Sequence, residues 1–184
     1  MTSSPCPPLS DEDWPDQLRD MREGFAGSLN VYRTMAHNPA LLRAWSPLRQ
    51  HVVRDSALGP ERSEVVILRT AHRLGAPYEW AHHVSRARKL GFSDARIAAL
   101  AGQPEGEDAP IASAVDALLD THRLPAALEA ELAAIIGRKG VIDLIATVGF
   151  YSILGYLVMS YSTPLDDDIA EELARTPLQP GPQP

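Results

Sequence analysis

Cysteine is almost missing from this chain: Cys6 is the one thiol among 184 residues. A single cysteine closes no intrachain disulfide, which excludes a disulfide-stapled secreted scaffold. It also lies in a Pro/Ser-rich leader, far from any other chemically suggestive residue, which argues against cysteine catalysis. Concentrated positive charge is lacking too. The net charge is −7, and the only basic cluster is the short Arg86, Arg88, Lys89 group. Nucleic acid is therefore not an expected partner, because phosphate binding needs a dense cationic surface. No run shows sustained alternation of apolar and polar residues, so a sheet is not expected. There is no glycine-rich phosphate loop, no G-x-S-x-G and no dinucleotide fingerprint. The N-terminus, "MTSSPCPPLSDEDW", has neither a basic n-region nor an apolar h-region, so a cytoplasmic location is expected.

One long uncharged run is present, Leu144 to Leu165, "LIATVGFYSILGYLVMSYSTPL". It is long enough to cross a bilayer. Threonine, serine, tyrosine, two glycines and a proline dilute it, and it is the only such run. The expectation is a buried central helix, not a membrane span.

The rest reads as helix throughout. Apolar residues make up 45% of the chain, enough for one sizeable core. Half of the prolines sit at the ends, so residues 1–9 and 176–184 are expected to be flexible, with a single helical domain over 10–175. Ser10, Asn38 and Ser93 are placed as helix N-caps, and Gly75-Ala76-Pro77 separates two helices. Helices are also expected at about Ile111–His122, Ala126–Gly137, Val141–Tyr161 and Asp166–Ala174. The fold class is all-α, with about eight to ten helices.

The segment "GAPYEWAHHVSRARKLG", Gly75 to Gly91, gathers Tyr78, Glu79, Trp80, His82 and His83 within six positions. Trp80, Val84, Ala87 and Leu90 form an apolar stripe, and His83 falls inside it. His82 shares its face with Ser85, Arg86 and Lys89, which places it toward solvent. Glu79 is four residues before His83, close enough on a helix to hydrogen-bond. In the preceding helix Glu64 projects from the apolar side, and the short connection could bring it to His83. Two carboxylates around one imidazole is an acid/base constellation. The alternative is a core histidine satisfied by a structural carboxylate. A metal site is disfavoured: Glu79-Trp-Ala-His82 is one E-x-x-H, whereas a di-iron centre needs two copies, and adjacent histidines on a helix do not converge.

At these residues the chain resembles the carboxymuconolactone decarboxylase family, which shares its fold with alkyl hydroperoxidase D. Ala57 to Leu100 carries most of the resemblance, and "LIATVGFYSILGYLVMSY" resembles the family's closing helix. The resemblance implies an AhpD-like fold, a homotrimer or homohexamer, and an active site near a subunit interface. The family's peroxidase branch uses a Glu, a Cys-x-x-Cys pair and a His four residues later. Here Glu64 and His83 match the Glu and His, while the cysteine positions fall on Ala76 and Glu79. Peroxiredoxin-type activity would thus be a family label without the thiols it needs. The decarboxylase branch implies lyase-type acid/base chemistry on a small organic acid or lactone, without a cofactor. His83 would carry the proton, Glu79 or Glu64 would orient it, and Tyr78 and Trp80 would shape the pocket. Arg62, Arg69 and Arg54 are the candidate cations for a substrate carboxylate. A non-catalytic ligand-binding or assembly protein, and a metal-dependent oxygenase, are the other readings.

Overall fold

The structure, a computed structural model, describes residues 4–178. The expected tail from residue 179 onward lies outside them. Pro7 and Leu9, within the expected leader, are tied to the body. The Pro7 carbonyl bonds His37 Nε2, and the Leu9 carbonyl accepts from Arg33 Nη1 at 2.7 Å.

The described residues hold helices and no strand. After a 3-10 turn at Asp16–Met21 come α1 (Phe25–Ser28), α2 (Asn30–Met35) and α3 (Pro39–Gln50). Helix α3 runs into a π-helical turn, His51–Asp55. Then follow α4 (Gly59–Leu74), α5 (Pro77–Lys89), α6 (Asp94–Ala99), α7 (Asp108–Thr121), α8 (Ala126–Ser160) and α9 (Asp167–Arg175). Two of the three expected caps form; Ser10 Oγ accepts from Asp13 N–H, but no helix opens there and the first helical turn starts at Asp16, after Pro15. The Asn38 side chain accepts from Leu41 N–H ahead of Pro39, and Ser93 Oγ accepts from Arg96 N–H.

Helix α4 is central and packs against α5, α7 and α8. Every residue from Ser63 to Ala71 is buried, so the middle of this helix has no solvent face. Two apolar clusters flank it. One joins Val65, Leu68, Val84, Ile111 and Leu144; the other joins Trp45, Tyr32, Ile67, Tyr78 and Tyr151. The uncharged run forms the end of α8 as far as Ser160, and its last five residues leave the helix. This helix is long and apolar enough to cross a membrane, yet 56% of its most apolar window is buried inside the molecule. Its backbone breaks at Gly137 (φ 70°, ψ 163°), where the sequence separates two helices.

The turn between α4 and α5 is what brings the site together. Gly75 takes the left-handed conformation (φ 64°, ψ 37°) and ends α4. Gly155 of α8 sits against this turn. A Cβ there would lie 3.3 Å from Leu74 Cδ1 and 3.4 Å from Ala76 Cβ, so the missing side chain lets α8 approach closely.

Candidate active site

Helices α4 and α5 face each other through Glu64 and His83, each less than 5% exposed. Glu64 Oε2 is 2.5 Å from His83 Nδ1. An ionised carboxylate only accepts, so the Nδ1–H donates and a neutral ring keeps its lone pair on Nε2. Burial lowers the His83 pKa, against the opposing pull of Glu64, so the neutral form is favoured. The ring stands edge-on to Tyr151 at 5.0 Å, which fixes its plane. Arg86 Nε reaches the other Glu64 oxygen at 3.2 Å.

Glu79 is on the opposite side of the imidazole. Its Oε2 is 3.9 Å from His83 Nε2, so the hydrogen bond expected from their i, i+4 spacing is not made. Glu79 Oε1 is buried with no partner. Burial pushes the Glu79 carboxyl up to about 8, with Arg86 pulling it down and Asp166 pushing it further up. Glu79 is therefore mainly protonated at neutral pH.

His82 does not face solvent as expected. Its side chain is 11% exposed, and Nε2 lies 2.9 Å from Asp166 Oδ2. Asp166, just before α9, also accepts from the Tyr78 hydroxyl and from Asn30 N–H. Tyr78 in turn accepts from Val31 N–H at 3.2 Å. Burial, then the Asp166 bond, raises the Tyr78 pKa, so the phenol stays neutral.

Two cavities meet at these residues. The outer cleft, about 300 Å³, is lined by Arg54, Ser63, Glu64, Arg86, Leu90 and Tyr151 among others. The inner cavity, about 40 Å³, touches Arg49, Tyr78, Glu79, His83, Arg86 and Tyr151. Val53, Arg86 and Tyr151 line both and form the partition. Among the described residues, no three His, Cys, Asp or Glu side chains are grouped so as to hold a metal ion.

Of the expected site residues, Glu64, Glu79, His83 and Tyr78 come together; three others do not. Trp80 lines neither cavity. It packs on the first apolar cluster, its ring 6.0 Å from His72. Arg69 is buried and fully occupied. It forms a fork to Asp116 at 2.7 and 2.8 Å and donates to the Leu100 and Gly102 carbonyls. Arg62 is at the surface, paired with Glu107 at 2.5 Å. Arg54 does line the outer cleft. Arg86, Tyr151, Arg49 and Asp166 were missed: helical spacing gave Arg86 to solvent, and the other three reach the site only through tertiary folding.

Residues 39–120 match the model of the carboxymuconolactone decarboxylase family. A comparison with curated proteins gives no match. Among solved structures, the alkylhydroperoxidase AhpD core of a peroxidase-related protein from Ralstonia eutropha JMP134 superposes with a TM-score of 0.77 at 15% identity, covering 92% of this chain and 95% of that one. A peroxidase-related protein from Silicibacter sp. TM1040 gives 0.73 at 14% identity, covering 91% and 93%. The debrominase Bmp8, as a cysteine-to-alanine variant with 2,3,4-tribromopyrrole, gives 0.73 at 17% identity, covering 95% and 98%. The described residues thus have an AhpD-like all-α fold, and residues 39–120 are similar to the carboxymuconolactone decarboxylase family.

Proposed function

We propose that this protein is a cofactor-independent acid/base enzyme acting on a small organic acid or lactone. The observation that carries this is the buried Glu64–His83 pair beside a cleft lined by cations. Glu64 fixes the imidazole through Nδ1, so Nε2 is the atom that takes and returns a proton. Glu79 presents a neutral carboxyl beside Nε2. Arg54 and Arg86, in place of Arg62 and Arg69, receive the substrate carboxylate. Arg54 has no ion pair or hydrogen bond among the described residues and is exposed at the cleft. Such an arrangement suits decarboxylation, isomerisation or elimination, each of which moves a proton at a defined position. Thiol peroxidase chemistry is disfavoured, because Cys6 is in the N-terminal segment, beside Ser4, and away from both cavities.

The protein works as a homo-oligomer, a trimer or hexamer. Support comes from the outer face of α8, where Ile142 (66% exposed), Ile145, Ile153 and Tyr156 (55% exposed) leave an apolar stripe uncovered.

The test is turnover of a panel of lactone acids by wild type, His83→Ala and His82→Ala. His83→Ala loses at least about 100-fold in kcat while keeping the helical fold. His82→Ala keeps most activity. Equal and mild effects of the two substitutions refute the assignment. Tight binding without turnover of any panel member favours a non-catalytic ligand-binding protein.

A further inference from the structure

We propose that the inner cavity is a binding site for one water molecule, and that this water is the co-substrate of a hydrolytic reaction at His83. The inference rests on the acid/base reading above and extends it to a reaction, hydrolysis, outside the three named there.

Three buried side-chain atoms lack a hydrogen-bond partner among the described residues: Trp45 Nε1, Arg49 Nε and Glu79 Oε1. Two of these three belong to residues lining the same 40 Å³ cavity. One is a donor and the other a carboxyl oxygen, and unpaired buried groups of this kind are rare because they are costly. The volume admits a water with room to turn, whereas a lactone ring does not fit. His83 Nε2 is on this side of the ring, 3.9 Å from Glu79 Oε2. That gap is too long for a direct bond. A water has the two donors and two acceptors needed to take the Arg49 Nε–H and to donate to Glu79 and to His83 Nε2.

The chemistry balances without a further reactant. His83 Nε2 takes one water proton, and the water oxygen bonds to the acyl carbon of a lactone. The ring C–O bond then breaks. The leaving alkoxide takes the proton from the His83 imidazolium, leaving the hydroxy acid and neutral His83. Glu64 stabilises the imidazolium through Nδ1. Arg86 governs contact between the two chambers: it lines both, it pairs with Glu64, and its side chain is 43% exposed, within reach of a substrate in the cleft. When a substrate carboxylate draws Arg86 off Glu64, the acyl carbon reaches the water.

The test uses carboxylated γ- and δ-lactones, beginning with 5-oxotetrahydrofuran-2-carboxylate, incubated with the wild-type protein in H2-18O. Mass spectrometry should find one 18O in the newly formed carboxylate, with the rate lost at least about 100-fold in His83→Ala. Glu79→Leu, which removes one water anchor, should lower kcat by about 100-fold and leave KM within a few-fold. A decarboxylated or isomerised product without label overturns the inference and leaves the acid/base reading in place. Labelled product formed equally fast by His83→Ala overturns both, and no conversion of any lactone overturns the hydrolytic inference.

Discussion

The neutral Glu79 carboxyl makes stability depend on pH in a direction that few carboxylates share. The ordinary glutamate value is 4.5, and burial pushes Glu79 up to about 8. Between those values the folded protein binds more protons at this site than the unfolded chain does. Stability from this group is therefore fully present below about pH 4.5 and is lost as pH rises toward 8. Each pH unit in that window costs about 1.4 kcal/mol, so the whole span costs up to about 5 kcal/mol. That is comparable with the entire stability of many domains. Glu79→Gln keeps the shape and removes the titration. Urea unfolding of both proteins, at one protein concentration and at several values from pH 4.5 to 8.5, isolates the effect. The two midpoints should nearly coincide at pH 4.5. By pH 8.5 the variant should lead by about 2 M urea, taking a slope of about 2–3 kcal/mol per M. His83 acts in the opposite sense. Its folded value is depressed, so its contribution grows as pH rises to its ordinary value of 6.5. That contribution is common to both proteins and cancels in the difference. Parallel curves for wild type and Glu79→Gln would show that Glu79 is ionised in the fold, and the assignment of a neutral carboxyl beside His83 would be wrong.

Three further outcomes follow from the packing. Arg69→Met should destabilise by about 3 kcal/mol, because it strips a buried fork from Asp116 and two carbonyl bonds, and should lower Tm by about 10 °C. KM for a lactone acid should not move; a raised KM at unchanged Tm would return Arg69 to substrate binding. Gly75→Ala places a side chain in the left-handed region and should cost about 1 kcal/mol, read from the urea midpoint. The double substitution Ile142→Lys with Tyr156→Lys should convert the proposed oligomer to monomer in light scattering, since both side chains are exposed and adding charge there leaves the core intact. An unchanged mass would exclude this face from the interface.

Legibility in the sequence followed a physical line. Helical periodicity reports where a side chain stands relative to its own helix's apolar stripe. It therefore placed Glu64 and His83 correctly, because α4 and α5 bury those stripes against each other across a two-residue turn. The caps at Asn38 and Ser93 and the break at Gly137 are also local, and they form where the residue types put them. Periodicity fails where a third element covers the polar face. Arg69 stands as a candidate cation for substrate in the sequence, but α7 packs over it and supplies Asp116. His82 was assigned to solvent, but Asp166 arrives from 84 residues along the chain to bond it.

Glu79 shows the finer limit of the same argument. Spacing correctly put it beside His83, since residues four apart share a helix surface. It could not say whether they touch. That depends on the ring's second nitrogen, and Glu64 of the neighbouring helix holds His83 by Nδ1. The imidazole is thereby oriented by the inter-helix partner, and Nε2 stops 3.9 Å short of Glu79. With a direct bond, the helix would hold a closed, satisfied pair with no acceptor to offer. Because Glu64 wins, Glu79 Oε1 is left unpaired beside a small cavity, and Nε2 remains available to a reactant. The feature that makes the site chemically interesting thus arises from competition between two carboxylates for one ring.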